Sequence, residues 1–371
     1  MKKLTTLVLA VMLVLGSLVP VLAAETGSPV IISMQSIETL MTANSLNMAL
    51  AKNNLDKSNL TYKTALSDYN KIKDQYDALV LTSPADWAQA LALSNQLDAL
   101  RSSLSSAEFN LDAASLIYNQ QAGQFILAAR QQYLTYLSAQ TQNEISRSSL
   151  ASQEALLSGL KAKLSSGYVS QKQLDVYANQ VLDLRIGLAI QEEQAAILLS
   201  KLRTALGIAE TAQVSVEPVT TFDFTAIPAI VFNDDLNQLL SSSTDIKTAE
   251  ISLQSINKIA SSSNDPSKYR YDILAAEIAL TQTHDKVKAD FLDQYLALKN
   301  NYNALQLRLE RLNTKKADLS GIELKAINGF ASAKQVQDAK LAVSNEELQI
   351  LLDRQNLLAS HIRYILTKQG F

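Results

Sequence analysis

The sequence predicts an all-α protein of very long antiparallel coiled-coil helices arranged in two tandem repeats. Three observations predict this fold class. The 371 residues include only 10 Gly and 6 Pro, below the roughly 7% and 5% of average usage, so the chain has few turns. Apolar residues recur at heptad spacing over long stretches. A motif that ends one helix and starts the next occurs at Gly167 and again 162 positions later at Gly329.

Residues 1–24 have the pattern of a secretory signal peptide. Two lysines precede an apolar core of residues 4–18, and the small residues Ala23 and Ala24 follow a proline. A retained membrane anchor is the alternative, which the short core disfavours. We therefore predict export to the cell envelope, at the outer membrane or periplasm where the host has an outer membrane and otherwise outside the cytoplasm.

The first repeat, residues 25–207, opens with an extended lead and a long helix. Ser33 is placed to cap this helix, which we expect to reach about Leu81. Three tyrosines share one face of it at seven-residue spacing, which indicates a coiled-coil seam, with the lining of a lumen as the alternative. They are Tyr62, Tyr69 and Tyr76.

A second helix start follows, with Ser83 as cap, Pro84 at the first helical position and Asp86 at the third. Roughly eighty helical residues without Pro would then form a rod on the order of 120 Å. No globular domain needs such a rod, so its length indicates that it spans a distance. A bend or break at Gly123 is the alternative. The next helix starts at Gln171.

Residues 208–235, after the helix stop at Gly207, form the linker between the repeats. Alternating apolar residues near Pro218 permit a short strand here. The second repeat, residues 236–371, is predicted to contain a helix to about Ser261, a turn, and a long helix to Ile327.

Two apolar stripes mark the helices of the second repeat. The long helix carries residues that step by four and three, a strong heptad signal: Phe291, Tyr295, Leu298, Tyr302, Leu305, Leu309 and Leu312. A further stripe is predicted on the last helix: Leu341, Leu348, Leu351, Leu358, Ile362 and Ile365.

The repeated motif is the candidate functional site. In each copy Gly is followed by an aromatic residue, then by Ser, Lys and Gln. Gly can end a helix in the left-handed conformation, and Ser and Gln can form the capping box of the next helix. Each copy is predicted to be the tip of a tight helical hairpin, where the lysines either contact a partner or are only solvated. The residues are Gly167, Tyr168, Ser170, Lys172 and Gln173, and Gly329, Phe330, Ser332, Lys334 and Gln335.

Enzymatic chemistry has no support in this sequence. The two histidines, His284 and His361, lack metal-ligand spacing, and no phosphate-binding loop or nucleophile motif is present. The absence of Cys excludes disulfides and thiolate chemistry. A net charge of −3 without a basic patch argues against nucleic acid. We predict no enzyme, no cofactor and no metal.

The paired tips and the starts of both repeats resemble the TolC-like outer membrane efflux family. The family's tip pattern continues with an aliphatic residue and an alanine, which stand here at Leu174, Ala178, Val336 and Ala339. Its usual repeat start is similar to residues 32–46 and 244–250. The resemblance covers most of the mature chain.

The resemblance implies an exit duct of an efflux or type I secretion assembly. Family members are trimers in which two-repeat protomers pack long helices into a hollow α-barrel. Their hairpin tips meet a membrane-fusion adaptor, which receives substrate from an inner-membrane transporter. We therefore expect a homotrimer with docking or gating at the tips. A non-conducting coiled-coil structural or adhesion protein of the cell envelope is the alternative.

The chain departs from the family at the end opposite the tips. Members interrupt each repeat with a β-hairpin of a membrane-spanning barrel, whereas residues 60–100 here are helix-forming and residues 261–271 are a bare turn. We therefore expect an α-barrel protomer without a clear β-barrel, which argues against direct membrane insertion.

Overall fold

The computed structural model describes residues 29–261 and 266–370, so the predicted signal peptide lies outside the described residues. The described chain is almost entirely helical. Its first half contains β1 (Val30–Ile32), α1 (Ser36–Asn44), α2 (Leu46–Asp77), α3 (Pro84–Ser165) and α4 (Gln171–Leu206). After β2 (Val214–Val216), the second half contains α5 (Phe232–Ser242), α6 (Thr244–Ser261), α7 (Arg270–Ile327) and α8 (Ala333–Lys368). The two strands pair in parallel, with Val30 opposite Val214.

Helix α3 is the continuous rod that the sequence predicts. Its 82 residues run through Gly123 without a break, so its length is on the order of 120 Å. At its start the Asp86 amide donates to Ser83 Oγ at 3.3 Å, and the Ser83 amide donates to the Asp86 carboxylate at 2.7 Å. This capping box fixes the turn between α2 and α3.

The helices expected from Ser33 to about Leu81 and from residue 236 to Ser261 are each interrupted, which corrects the sequence prediction. The interruptions fall at Ser45 and Ser243, both buried and with ψ near 120°. These two residues separate α1 from α2 and α5 from α6. The first of these predicted helices also starts later, at Ser36 of α1, and ends earlier, at Asp77 of α2.

A glycine from the end of each half lies against each interruption. Gly207 has φ +66°, and a Cβ there would lie 2.1 Å from the carbonyl oxygen of Asn44. Gly370 has φ +94°, and a Cβ there would lie 2.3 Å from the carbonyl oxygen of Ser242. We call these two contacts the joints. They connect the last helix of each half to its first helix, and they require glycine for both conformation and space.

The long helices form a layer in two tiers that meet at the joints. On the tip side of the joints, neighbouring helices pack in the order α4, α3, α8, α7. On the other side the order is α2, α3, α6, α7. Helices α3 and α7 therefore run through both tiers, and each of the other four long helices belongs to one tier.

The α7 heptad is confirmed as a seam between α7 and α8. Phe291, Leu298, Leu305 and Leu312 are buried at seven-residue spacing. The buried residues of α8 that share their core cluster are Val343, Ile350, Leu357 and Tyr364, again seven apart.

The stripe predicted on α8 is therefore not the buried heptad of that helix. Its six residues are half-buried or exposed. Helix α8 has two apolar faces, because it packs against α7 on one side and against α3 on the other. Leu358 packs against the core of the first half, and Ile362 and Ile365 line a groove between α3 and α8. The apolar periodicity of the sequence therefore predicted the α8 face that lies toward α3, not the face that packs against α7.

Candidate functional site

The first tip combines two capping motifs within a few residues. Gly167 has φ +77°. Its amide donates to the Leu164 carbonyl and the Tyr168 amide donates to the Lys163 carbonyl, both at 3.0 Å, which is the Schellman helix end. The next helix starts at once, because the Gln173 side chain accepts from the Ser170 amide at 3.1 Å. The tip is thus a short, internally hydrogen-bonded turn.

The second tip has the same backbone arrangement. Gly329 has φ +78°, and the Phe330 amide donates to the Lys325 carbonyl at 2.7 Å. Ser332 and Gln335 form the second capping box, with the Ser332 amide donating to Gln335 Oε1 at 2.7 Å. The local geometry predicted for both copies is confirmed.

Both tips present a large aromatic side chain to solvent. Tyr168 is 83% exposed and Phe330 is 82% exposed. A Cβ added at Gly167 or Gly329 would meet no atom within 4 Å, so both turns are convex and open. Exposed aromatic residues on a rigid turn are typical of contact surfaces rather than of catalytic clefts.

The two lysines of the motif differ in their surroundings. Lys334 donates to Asp338 at 2.7 Å one turn along α8, and this hydrogen bond raises the pKa of Lys334. In the first copy Gln171, rather than Lys172, donates to the aspartate one turn on, Asp175, at 2.7 Å. The lysines are therefore not equivalent, although both are exposed.

The structure places both tips at the same end of the layer but at different heights. Gln337 of α8 donates to Ser152 of α3 at 3.5 Å. Ser152 lies 15 residues from Gly167, whereas Gln337 lies 8 residues from Gly329. At 1.5 Å per residue, the first tip reaches about 10 Å further along the helix axes than the second.

On the tip side of the joints an apolar stripe is exposed along each edge of the layer, α4 and α7, and the α7 stripe continues past the joints into the other tier. We call these the edge stripes. Each occupies one helix face at helical spacing. The α4 stripe contains Val176, Leu182, Ile186, Ile190 and Ile197, and the α7 stripe contains Tyr271, Leu274, Ile278, Leu292, Leu296 and Leu307. The sequence alone does not predict either stripe, because apolar residues at helical spacing indicate a core as readily as a contact between chains.

A buried ion cluster holds α7 and α8 together between the tip and the joint. Glu346 is 4% exposed and accepts from Lys315 at 2.6 Å, with Arg308 at 3.6 Å. Arg308 also pairs with Asp353 at 2.5 Å. The hydrogen bond from Lys315 lowers the pKa of Glu346. Each charged member has an oppositely charged partner within the cluster, so this is a structural cluster.

Neither histidine belongs to a metal site in the described part of the chain. His361 is half-buried, which lowers its pKa. Among residues 29–261 and 266–370, no group of His, Cys, Asp and Glu is arranged to hold a metal ion. None of the helices in these ranges is long and apolar enough to cross a membrane.

Solved structures that share this architecture include outer-membrane channels. A membrane protein from Pseudomonas aeruginosa matches with a TM-score of 0.65 and 13% identity, over 91% of this chain and 90% of that chain. The outer-membrane channel OprN matches with a TM-score of 0.64 and 12% identity, over 91% of this chain and 90% of that chain. The Campylobacter jejuni CmeC outer membrane channel matches with a TM-score of 0.61 and 11% identity, over 91% of this chain and 85% of that chain.

No family model matches the sequence, and no curated protein matches it. At these low identities the structural matches establish the fold. They confirm the predicted all-α, TolC-like architecture. Two of these three proteins, OprN and CmeC, are outer-membrane channels.

Proposed function

From the fold that it shares with outer-membrane channels, we propose that the protein is the exit-duct component of an efflux or secretion assembly in the cell envelope. The observation that carries this proposal is the pair of edge stripes on α4 and α7. A layer with two exposed apolar edges is incomplete as a monomer, because water-exposed apolar surface of this extent is costly.

Association of copies edge to edge would bury the α4 stripe against the tip-side part of the α7 stripe, Leu292, Leu296 and Leu307. The α4 edge of one copy then packs against the α7 edge of the next, which is a head-to-tail contact that closes into a ring when the rotation fits. Three copies would place twelve helices around one axis on the tip side, as the TolC resemblance implies. The space inside this homotrimer is the proposed passage.

The oligomeric state tests this proposal. The protein should have the mass of a trimer in solution or in detergent. Replacing Ile186 and Ile190 together by Asp should yield a folded monomer, because charges on the stripe cannot be buried without partners. The matched control is Val231→Asp, an exposed apolar position in the linker, which should leave the trimer intact.

Images of the particles along their axis separate the two candidate functions. A ring with a central opening is expected for a duct. A solid bundle, or a wild-type monomer under both conditions, would instead favour the non-conducting structural or adhesion protein. The proposed role also requires export, for which residues 1–24 supply the predicted signal.

We further propose that the two tips dock a membrane-fusion adaptor, which links the duct to an inner-membrane transporter. The rigid turns with exposed Tyr168 and Phe330 support this assignment. Because the chain lacks Cys, Phe330→Cys provides a single site for cross-linking in cells. It should yield an adduct whose second component is identified by mass as such an adaptor. A Cys at Ile259, far from the tips, is the control, and the same adduct from both sites would contradict docking at the tips.

A further inference from the structure

Helices α2 and α3 extend beyond the other described elements, within residues 29–261 and 266–370, at the end opposite the tips. The last turns of α6 reach α3 at Glu108, where Lys258 Nζ lies 3.7 Å from the carboxylate. From this contact α3 continues for another 24 residues to Pro84, a distance on the order of 36 Å. We call residues 76–91, which join α2 to α3 at the far end of this projection, the outer turn.

Large apolar side chains are exposed at the outer turn. Val80 is 72% exposed, and Trp87, the only tryptophan of the chain, is 62% exposed. Tyr76, Leu81 and Leu91 are also exposed. Apolar exposure is therefore concentrated at the extreme end of the projection.

The sides of the projection are mostly polar. Leu60 is an exposed apolar residue of the projection, but most exposed positions nearer the outer turn are charged or hydrophilic, apart from the small side chains of Ala92 and Ala99. They include Lys71, Lys73, Asp74, Gln75, Asn95, Gln96, Asp98 and Arg101. This distribution disfavours a helix packing alongside the hairpin and favours a surface met end-on.

The polar groups of the outer turn are largely satisfied within it. The Asp86 carboxylate accepts from the Thr82 amide at 3.0 Å, from the Thr82 hydroxyl at 2.9 Å and from the Ser83 amide at 2.7 Å. The Trp87 amide donates to the Ser83 carbonyl at 3.2 Å. These internal hydrogen bonds lower the desolvation cost of contact with a membrane surface, and the apolar side chains remain available for that contact.

We propose that the outer turn is a peripheral contact for a lipid bilayer, in which Val80, Leu81 and Trp87 enter the headgroup region. Tryptophan prefers the membrane–water interface, because its ring is apolar with one polar group. The charges near the turn have mixed sign. Lys71 and Lys73 are positive, and three aspartates, Asp74, Asp77 and Asp86, are negative. The contact thus depends on apolar burial and needs no anionic lipid. This inference is independent of the proposed duct.

The single tryptophan makes the contact directly measurable. The protein without residues 1–24, which keeps every described residue, is mixed with phosphatidylcholine vesicles. Emission from Trp87 should shift to shorter wavelength, and lipids brominated near the headgroup should quench it. The double variant Val80→Ser/Leu81→Ser should reduce vesicle partitioning by about tenfold or more, since two apolar contacts are lost.

Two controls keep this result interpretable. Circular dichroism should show unchanged helix content in the double variant, because both residues are exposed. Tyr168→Ser/Phe330→Ser, the matched change at the opposite end, should bind vesicles as the wild type does.

Three outcomes would overturn the proposal. The first is no shift with vesicles of phosphatidylcholine alone or mixed with phosphatidylglycerol. The second is binding that requires phosphatidylglycerol and disappears at high salt, which would mean charge attraction. The third is a shift that grows with protein concentration in the absence of vesicles, which would mean that the outer turn contacts a second copy of the chain.

Discussion

Replacing Gly207 by Ala should lower the free energy of unfolding by about 3–5 kcal/mol, because the new side chain meets two obstacles. The residue has φ +66°, a conformation that L-residues rarely adopt. The added Cβ would also lie 2.1 Å from the carbonyl oxygen of Asn44. This obstacle is backbone, so it cannot rotate away. Relief requires the first joint to open.

Two other glycines, one just before α4 and one within it, separate the effect of the backbone conformation from the effect of the steric clash. Gly167→Ala meets the conformational strain in open space, so it should cost only about 1 kcal/mol. Gly187→Ala lies within α4 with no atom near the added Cβ, so it should be neutral or stabilise by up to about 1 kcal/mol. Urea unfolding followed by circular dichroism measures all three variants. Equal costs for Gly207→Ala and Gly167→Ala would show that the joint is not tightly packed.

Replacing Phe291 by Ala should lower the free energy of unfolding by about 3–5 kcal/mol, because it leaves a cavity among aromatic rings. Phe291 is fully buried. Its ring stacks on Tyr364 at 4.8 Å between centroids and on Phe232 at 5.6 Å. These rings come from α8 and α5, so one side chain connects three helices. Rigid rings held on separate helices cannot collapse into the space.

The same substitution at an exposed phenylalanine is the control. Phe330→Ala, at the second tip, removes an aromatic ring that is mostly in water, so it should change stability by less than about 0.5 kcal/mol. Thermal unfolding of both variants at equal protein concentration gives the comparison. A similar loss from Phe330→Ala would mean that the tip aromatics serve the fold, which would weaken their assignment to partner docking.

The features predicted correctly are those determined by neighbouring residues. The capping boxes at Ser83, Ser170 and Ser332 each depend on four consecutive positions, so the sequence contains all the information they need. The α7 heptad was predicted for the same reason, because one strong stripe on a long helix leaves a single orientation toward its partner.

The features that were missed depend on residues distant in sequence. Serine is compatible with a helix, so nothing near Ser45 or Ser243 indicates an interruption. The contacts come from Gly207 and Gly370, more than 120 positions away along the chain. From the sequence alone, Gly207 is predicted only to end a helix. On α8, two apolar faces compete, and periodicity cannot decide which one meets α7.

The candidate site shows the same division. The turn geometry at Gly167 and Gly329 followed from the motif itself. The difference in height between the tips did not, because it depends on where α8 lies along α3. The edge stripes were also missed, since a helix face that awaits another chain has the same period as one that packs within its own chain.

The continuity of α3 past the first joint has a mechanical consequence. Around it, α2 and α4 are separate segments of the first half, whereas α3 is unbroken from the outer turn to the first tip. A separate segment can pivot where it ends, but a continuous helix carries load along its whole length. We therefore expect α3 to act as a lever, so that sideways displacement at one end is delivered to the other as tilt.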